Sequence, residues 1–311
     1  MEKLTSIDKE LLQQVADLHE IPQTSYNIRK NGNLLVRNVD KDIDIISKTK
    51  KSGIDVVVHS SVRNKSIHIP VIVTKGGLND LVYNDFYIKD GAEVVIVAGC
   101  GMHNNSSSES SHSGIHTFHI GKNAKVTYIE KHLGLGKKTS NKVLNPTTKI
   151  IMEPNSYFEQ QTIQMGGVSY SNRKTYATIK AGAELNVKES ILTDDNQSAI
   201  TTFDIKLVGE GSKCQLTSRS VARGNSMQEF KSKLTGKAKC YARVECDAIL
   251  LDQAKAKSTP IIDAQCVDAS LNHEATVGKI AGEQLTKLMS LGLSKNQAED
   301  VIIKGYLTNL K

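Results

Sequence analysis

Along most of this chain apolar residues come in short runs in which every second position is polar, a period of two that predicts strands. From about Asn33 the runs LLVRNV, DVVVHSSV, IHIPVIV and EVVIVAGC follow one another, separated by Gly, Asn, Asp and Lys. The two ends differ. Ile7, Leu11, Val15 and Leu18 recur at helical spacing, Thr5 and Asp8 stand in capping-box positions, and Pro22 is placed to stop the helix. After about Lys279 the alternation gives way to a helical pair. Ile280, Leu285, Leu288 and Met289 mark the first helix, and Gly292 is placed to end it. Ser294 with Gln297 then forms a second capping box ahead of Ala298, Val301, Ile302 and Leu307. This tail reads as a cap over an open sheet end, as a docking surface, or as both.

A phrase recurs within the strand region: a turn with Gly or Asn, a small residue, a polar residue, then an alternating strand. Its small residues are Ala92, Ala124, Ser156, Ala183, Ser212 and Ala238, spaced by 32, 32, 27, 29 and 26 residues. That interval suits two strand-bearing turns of a parallel β-helix, with a small residue where the backbone turns the corner. An antiparallel sandwich is the alternative, but it favours two-residue hairpin turns over a repeating corner. The expected organisation is therefore an N-terminal helical segment (1–32), a β-helix core (33–278) and a C-terminal helical region (279–311).

Composition narrows the class further. The chain has 311 residues, is 39% hydrophobic and has no Trp and few aromatics, so a core of Val, Ile, Leu and Ala is expected. Forty Lys and Arg against 33 Asp and Glu give +7, spread along the chain without interleaved aromatics. This reads as a solvated surface before a nucleic-acid groove. No apolar run resembles a signal peptide or approaches the ~20 residues of a membrane span, so a soluble cytoplasmic protein is expected. The five cysteines, Cys100, Cys214, Cys240, Cys246 and Cys266, include no C-x-x-C pair, which argues for reduced thiols over a disulfide framework or a zinc site.

Two motifs look enzymatic and fail. LGLGKKTS (133–140) lacks the first Gly of a phosphate loop and carries Lys138 where Ser or Thr must follow the Lys. His273-Glu274 has Val277 where a zinc-protease helix needs its second His. What remains is a C-terminal set of soft and hard ligands, Cys246 with Asp247, Cys266, His273 and Glu274, chemically suited to iron or persulfide sulfur. On spacing alone, burial of the cysteines in the core is the plainer reading. Alternation places Cys240 and Cys246 on one strand face. A second dense stretch, GCGMHNNSSSESSHSGIHTFHIG, holds Cys100, His103, His112, His116 and His119 around a Ser-rich loop, a second candidate for transient metal or sulfur handling.

The segment from Cys246 to Leu307, running through a Cys-Asp pair, STPIID, HEATVGKI and LMSLGLSKNQAEDVIIKGYL, resembles the C-terminal signature of the SufB/SufD family of iron-sulfur cluster assembly proteins. NDFYIKDGAEVVIVAGCGMHN resembles the family's central region, so the likeness covers most of residues 70 to 310. It implies a mainly β fold, a right-handed parallel β-helix with flanking helices. It also implies a C-terminal helical region that binds a SufC-like ATPase, and a second SufB/SufD-type chain joined near the end of the solenoid. A transient iron-sulfur cluster is implied at that junction, with Cys246, Glu274 and His273 as its ligands. Cys100 resembles the cysteine at which sulfur enters. A separate sulfur donor and apo-protein recipients complete the implied partners, with no nucleic acid and no membrane. By this reading the chain is a scaffold and its partner hydrolyses ATP. The rivals are a non-ligating adaptor of the ATPase complex and a carbohydrate-active β-helix enzyme, which would need clustered carboxylates and usually a secretion signal.

Overall fold

The computed structural model describes residues 4–16, 18 and 24–308. Its elements begin with α1 (Ser6–Ala16), β1 (Ser25–Lys30), β2 (Asn33–Asn38), β3 (Ile43–Ser47), β4 (Gly53–Val58), β5 (Lys65–Val73) and β6 (Asn79–Ile88). Next come β7 (Glu93–Asn104), β8 (Ser110–Ile120), β9 (Lys125–Gly136), β10 (Lys142–Leu144), β11 (Thr147–Met152), β12 (Tyr157–Gln164) and β13 (Tyr170–Ile179). The last are β14 (Glu184–Thr193), β15 (Ser198–Leu207), β16 (Lys213–Ala222), β17 (Met227–Gly236), β18 (Cys240–Leu250), β19 (Lys255–Ala264), β20 (Ala269–Gly278), α2 (Gly282–Ser290) and α3 (Lys295–Thr308).

The strands wind into a β-solenoid with two facing sheets. One runs β2-β1-β5-β7-β9-β12-β14-β16-β18-β20, the other β19-β17-β15-β13-β10-β8-β6-β4-β3, with β11 also between β13 and β8. Each coil gives a strand to both sheets and pairs in parallel with the coils on either side; Tyr157, for example, sits between Lys125 and Glu184. Antiparallel hairpins, β1 with β2 and β3 with β4, occupy the N-terminal end.

The recurring phrase is the corner. Ala92, Ala124, Ser156, Ala183 and Ser212 are buried, and each amide donates to the carbonyl three residues back, as Ala92 does to Lys89 at 3.1 Å. The residue before each corner has positive φ, from 55° at Asn123 to 71° at Gly211, which is why Gly or Asn stands there. The sixth corner is Cys240 and not Ala238, because Cys240 is the register partner of Ala269 on the next coil. β17 runs on through Gly236, where an added Cβ would meet the Cys240 sulfur at 3.0 Å, and the turn falls two residues later than the sequence phrase.

Strands also begin earlier than Asn33. β1 lies inside the segment expected to be helical, and its whole run, SYNIRK, is buried, polar residues included. It is enclosed on both edges by β2 and β5, and Lys30 pairs with Asp8 of α1 at 3.1 Å, so apolar alternation is absent. Both capping boxes form. Thr5 and Asp8 exchange backbone-to-side-chain bonds at 2.7 and 3.2 Å, and Ser294 and Gln297 do so at 2.9 and 3.3 Å. Pro22 lies outside the described residues. α2 starts after Ile280, and Gly292 follows its end at φ 94°.

Inside, an apolar core stacks coil on coil, with Phe86 on Phe118 at 4.4 Å and Phe118 against Phe158 at 5.1 Å. Outside, α1 packs on β5, β7 and β9, and α3 on β14 and β16, so both helices flank the first sheet. The C-terminal pair therefore does not cap the solenoid. Ile303 and Ile280 pack on Val221 at its flank, and the edge strands β19 and β20 stay open. Neither enzymatic decoy survives: LGLG ends strand β9 with no helix after it, and His273-Glu274 lies on strand β20.

Candidate functional site

Cys246 lies on β18, whose inward face is Cys240, Ala242, Val244, Cys246 and Ala248. Cys240 and Cys246 do share a face, six residues or about 20 Å apart along the strand. On the neighbouring β20, His273 pairs with Val244, Glu274 with Glu245 and Ala275 with Cys246. Because faces alternate, His273 points inward with Cys246 and Glu274 points out. The contacts agree: His273 Nδ1 meets Ser232 Oγ at 3.0 Å, whereas Glu274 accepts from Arg243 at 3.1 Å on the outer surface. Among the described residues the His273 Nε2 has no hydrogen-bond partner, and burial lowers the imidazole's pKa, which favours the neutral ring. Burial, together with the Glu189 carboxylate, pushes the Cys246 thiol up to about 12. Cys266 lies in the turn before β20, by the Cys240 end of the strand, away from Cys246.

Cys100 points into the same interior from β7, paired with Val71 and His132. Burial holds its pKa well above the usual thiol range, with Asp80 and Glu130 adding to the effect. Cys100, His112, His116, Glu130 and His132 share a small cavity of about 10 Å³. His119 is outside, stacked on Tyr87 at 4.9 Å, and His103 is also on the outer face, so the four histidines of this stretch do not converge. Among the described residues no three Cys, His, Asp or Glu side chains are grouped to hold a metal ion.

The inner histidines are oriented from the backbone outward. Ile54 N–H donates to Asn84 Oδ1 at 3.1 Å, which turns the Asn84 amide nitrogen toward His116 Nε2. That nitrogen must then accept, leaving His116 Nδ1–H to donate to the Tyr128 hydroxyl at 2.8 Å. Burial lowers the His116 pKa to about 4, so the ring is neutral.

Between the two cysteines runs a line of buried polar side chains. Glu130, Thr162, Glu189, Ser218 and Cys246 are successive register partners on β9, β12, β14, β16 and β18, all facing inward. Arg173 crosses from β13, bonding Glu130 and also His132 at 2.8 Å, with its Nε 4.0 Å from Glu189. Burial opposes ionisation of Glu130, but Arg173 and His132 outweigh it and hold the carboxyl well below its usual range. At Glu189 burial wins and raises the pKa despite Arg173. Ser218 donates to Glu189 at 2.8 Å, and a second small cavity of about 20 Å³ joins Glu189, Ser218, Ser258 and Cys246.

Residues 82–306 match the description "SUF system FeS cluster assembly, SufBD core domain". The chain belongs to the SufBD family. An iron-sulfur cluster assembly SufBD family protein of Methanocaldococcus jannaschii is 26% identical over 248 residues, 78% of this chain and 77% of that protein. One of Archaeoglobus fulgidus is 26% identical over 251 residues, covering 79% of this chain and 66% of its own length. One of Pyrococcus horikoshii is 30% identical over 190 residues, 60% of this chain and 35% of its own. The chain thus spans between about a third and three quarters of these relatives' lengths.

Within the SufBD core the structure brings Cys246 and His273 to one inward face and leaves Glu274 on the other, with Cys100 joined to Cys246 only through the polar line. Spacing between cysteines had not revealed Glu130, Arg173, Glu189 and Ser218. Their signal was phase: in VTYIEKH, Glu130 and His132 fall on the same parity as Val126 and Tyr128, which marks charged residues in core positions.

Proposed function

We propose that this SufBD chain is a scaffold on which a nascent iron-sulfur cluster is assembled as cargo and released. The observation that carries the reading is the buried polar line that runs from His132, the register partner of Cys100, and Glu130 to Cys246. Polar groups this deep are costly to bury even when paired as these are, and their row lies between the two thiols. Cys100, near one end of this row, is the thiol at which sulfur enters, and Cys246, at the other, holds the cluster, where the His273 Nε2 offers a second donor.

Cys246 and His273 lie on the last two first-sheet strands, beside the open β19 and β20 edges. A second SufB/SufD-type chain, identical or different, abuts that end and completes the ligand set, while Glu274 acts from the outer rim. A SufC-like ATPase grips the α2–α3 pair, whose Leu291 and Met289 remain exposed. Its nucleotide-driven closure shifts the junction between a holding and a releasing form. ATP hydrolysis belongs to that partner. A cytoplasmic location follows from this reading, and among the described residues no helix is long and apolar enough to cross a membrane.

The outward course of Glu274 favours one alternative, a structural adaptor that ligates nothing. Anaerobic reconstitution with iron, sulfide and the cognate ATPase, read by visible absorption and metal analysis, separates the two. Cys246→Ser is expected to lose the stoichiometric cluster while keeping fold and ATPase binding. Equal cluster content in the variant would leave the chain as an adaptor.

A further inference from the structure

The two sheets are treated differently on their outer faces. α1 and α3 both pack on the first sheet, and no helix among the described elements packs on the second. Across that bare face Lys149, Tyr176, Asp204 and Lys233 stand in one row on β11, β13, β15 and β17. Neighbouring strands are about 4.8 Å apart, so the row spans three such steps. Lys174 lies two residues before Tyr176 on the same face of β13, and Lys206 two residues after Asp204 on β15. Lys149, Lys174 and Lys206 thus surround the exposed Tyr176 ring in a depression of about 520 Å³.

Among the described residues none of Lys149, Lys174, Lys206 and Lys233 makes an ion pair, in contrast to Lys231 and Lys257 nearby, which share Glu229 at 3.0 and 3.2 Å. Like charges this close on a sheet repel, and a single carboxylate stands among them. The single acid among them is Asp204. The face therefore asks for carboxylates at its lysines and apolar contact at Tyr176.

We propose that the outer face of the second sheet docks an acidic, partly apolar segment of a partner protein. A polypeptide brings both complements: carboxylates for the lysines and aliphatic side chains for the Tyr176 ring. A nucleic acid brings phosphates to the same lysines, and the test below separates the two. The surface is separate from the internal cysteines and from the α2–α3 tail, and it does not depend on the scaffold reading.

The test is fluorescence anisotropy of the full chain with a short fluorescein-labelled peptide of Glu and Leu, at low and at physiological salt. Lys149→Glu, Lys174→Glu and Lys206→Glu together are expected to weaken binding about tenfold or more. All three side chains are exposed, and thermal melting of the triple variant checks that the fold is kept. The proposal is overturned if the peptide does not bind, or if the triple variant binds it as well as the parent chain. It is equally overturned if oligo(dT) binds the same face more tightly than the peptide.

Discussion

His116 shows how a single side chain in this interior is set by its surroundings. Asn84 and Tyr128 occupy both ring nitrogens, and burial lowers the pKa from 6.5 to about 4. The titratable groups facing it are Glu130, which favours its protonation, and His112, His132 and Arg173, which oppose it. Between the two values the unfolded chain holds a proton that the folded chain does not, so stability falls as pH is lowered through that window. His132, lowered chiefly by burial, acts with the same sign. Urea denaturation between roughly pH 6 and 5 should show His116→Gln losing less stability on acidification than the parent chain, by about 1.4 kcal/mol per pH unit. Equal pH slopes would mean that His116 is not the neutral, buried group described.

At the scale of elements, the decisive contact is α1 on β7. Gly99 and Gly101 bracket Cys100, and they let the helix lie directly on the strand that carries the thiol. A Cβ on Gly99 would stand 2.8 Å from the Val15 carbonyl oxygen, and one on Gly101 would stand 2.9 Å from the Leu11 Cβ. The glycines keep the outer side of Cys100 closed by helix. Gly101→Val is expected to push α1 away at a cost of about 1–3 kcal/mol without unwinding the coils behind it. Hydrogen exchange should then quicken about tenfold or more over Ser6–Ala16, with β14 to β18 unchanged. Uniform protection in α1 would show that the helix tolerates the added bulk.

For the whole molecule, the two ends of the solenoid are unlike. Hairpins finish the N-terminal end, whereas at the other end the inward faces of β19 and β20 meet solvent. Ile262 pairs with the buried Leu234, and Val277 with the buried Ala248, so both occupy core positions, yet each is about half exposed. An open parallel edge with core residues at its mouth is a template for a second chain. Sedimentation should find the parent chain as a dimer, alone or with the proposed SufC-like ATPase, and Ile262→Asp with Val277→Asp as a monomer that keeps its fold. A parent chain that stays monomeric under both conditions would rule out identical partners.

Local chemistry determined most of the architecture. The period of two, the Gly or Asn before a small corner residue and the two capping boxes each act within a few residues, so the strands, the solenoid interval and the flanking helices were legible from the chain itself. The family likeness was legible too, in the run from Cys246 to Leu307. What depended on distant segments was not. β1 is a strand because β2, β5 and α1 enclose it, and the sixth corner falls at Cys240 because the next coil sets its register. Cys246 lies in line with Glu189, which is 57 residues earlier, because parallel register stacks one coil's inward position on the next. Only the wound structure decided that Glu274 faces away from Cys246, that the helical tail flanks the solenoid, and that one sheet is left bare. Each of these outcomes is set by which surfaces meet across coils, and no short stretch of sequence contains both partners.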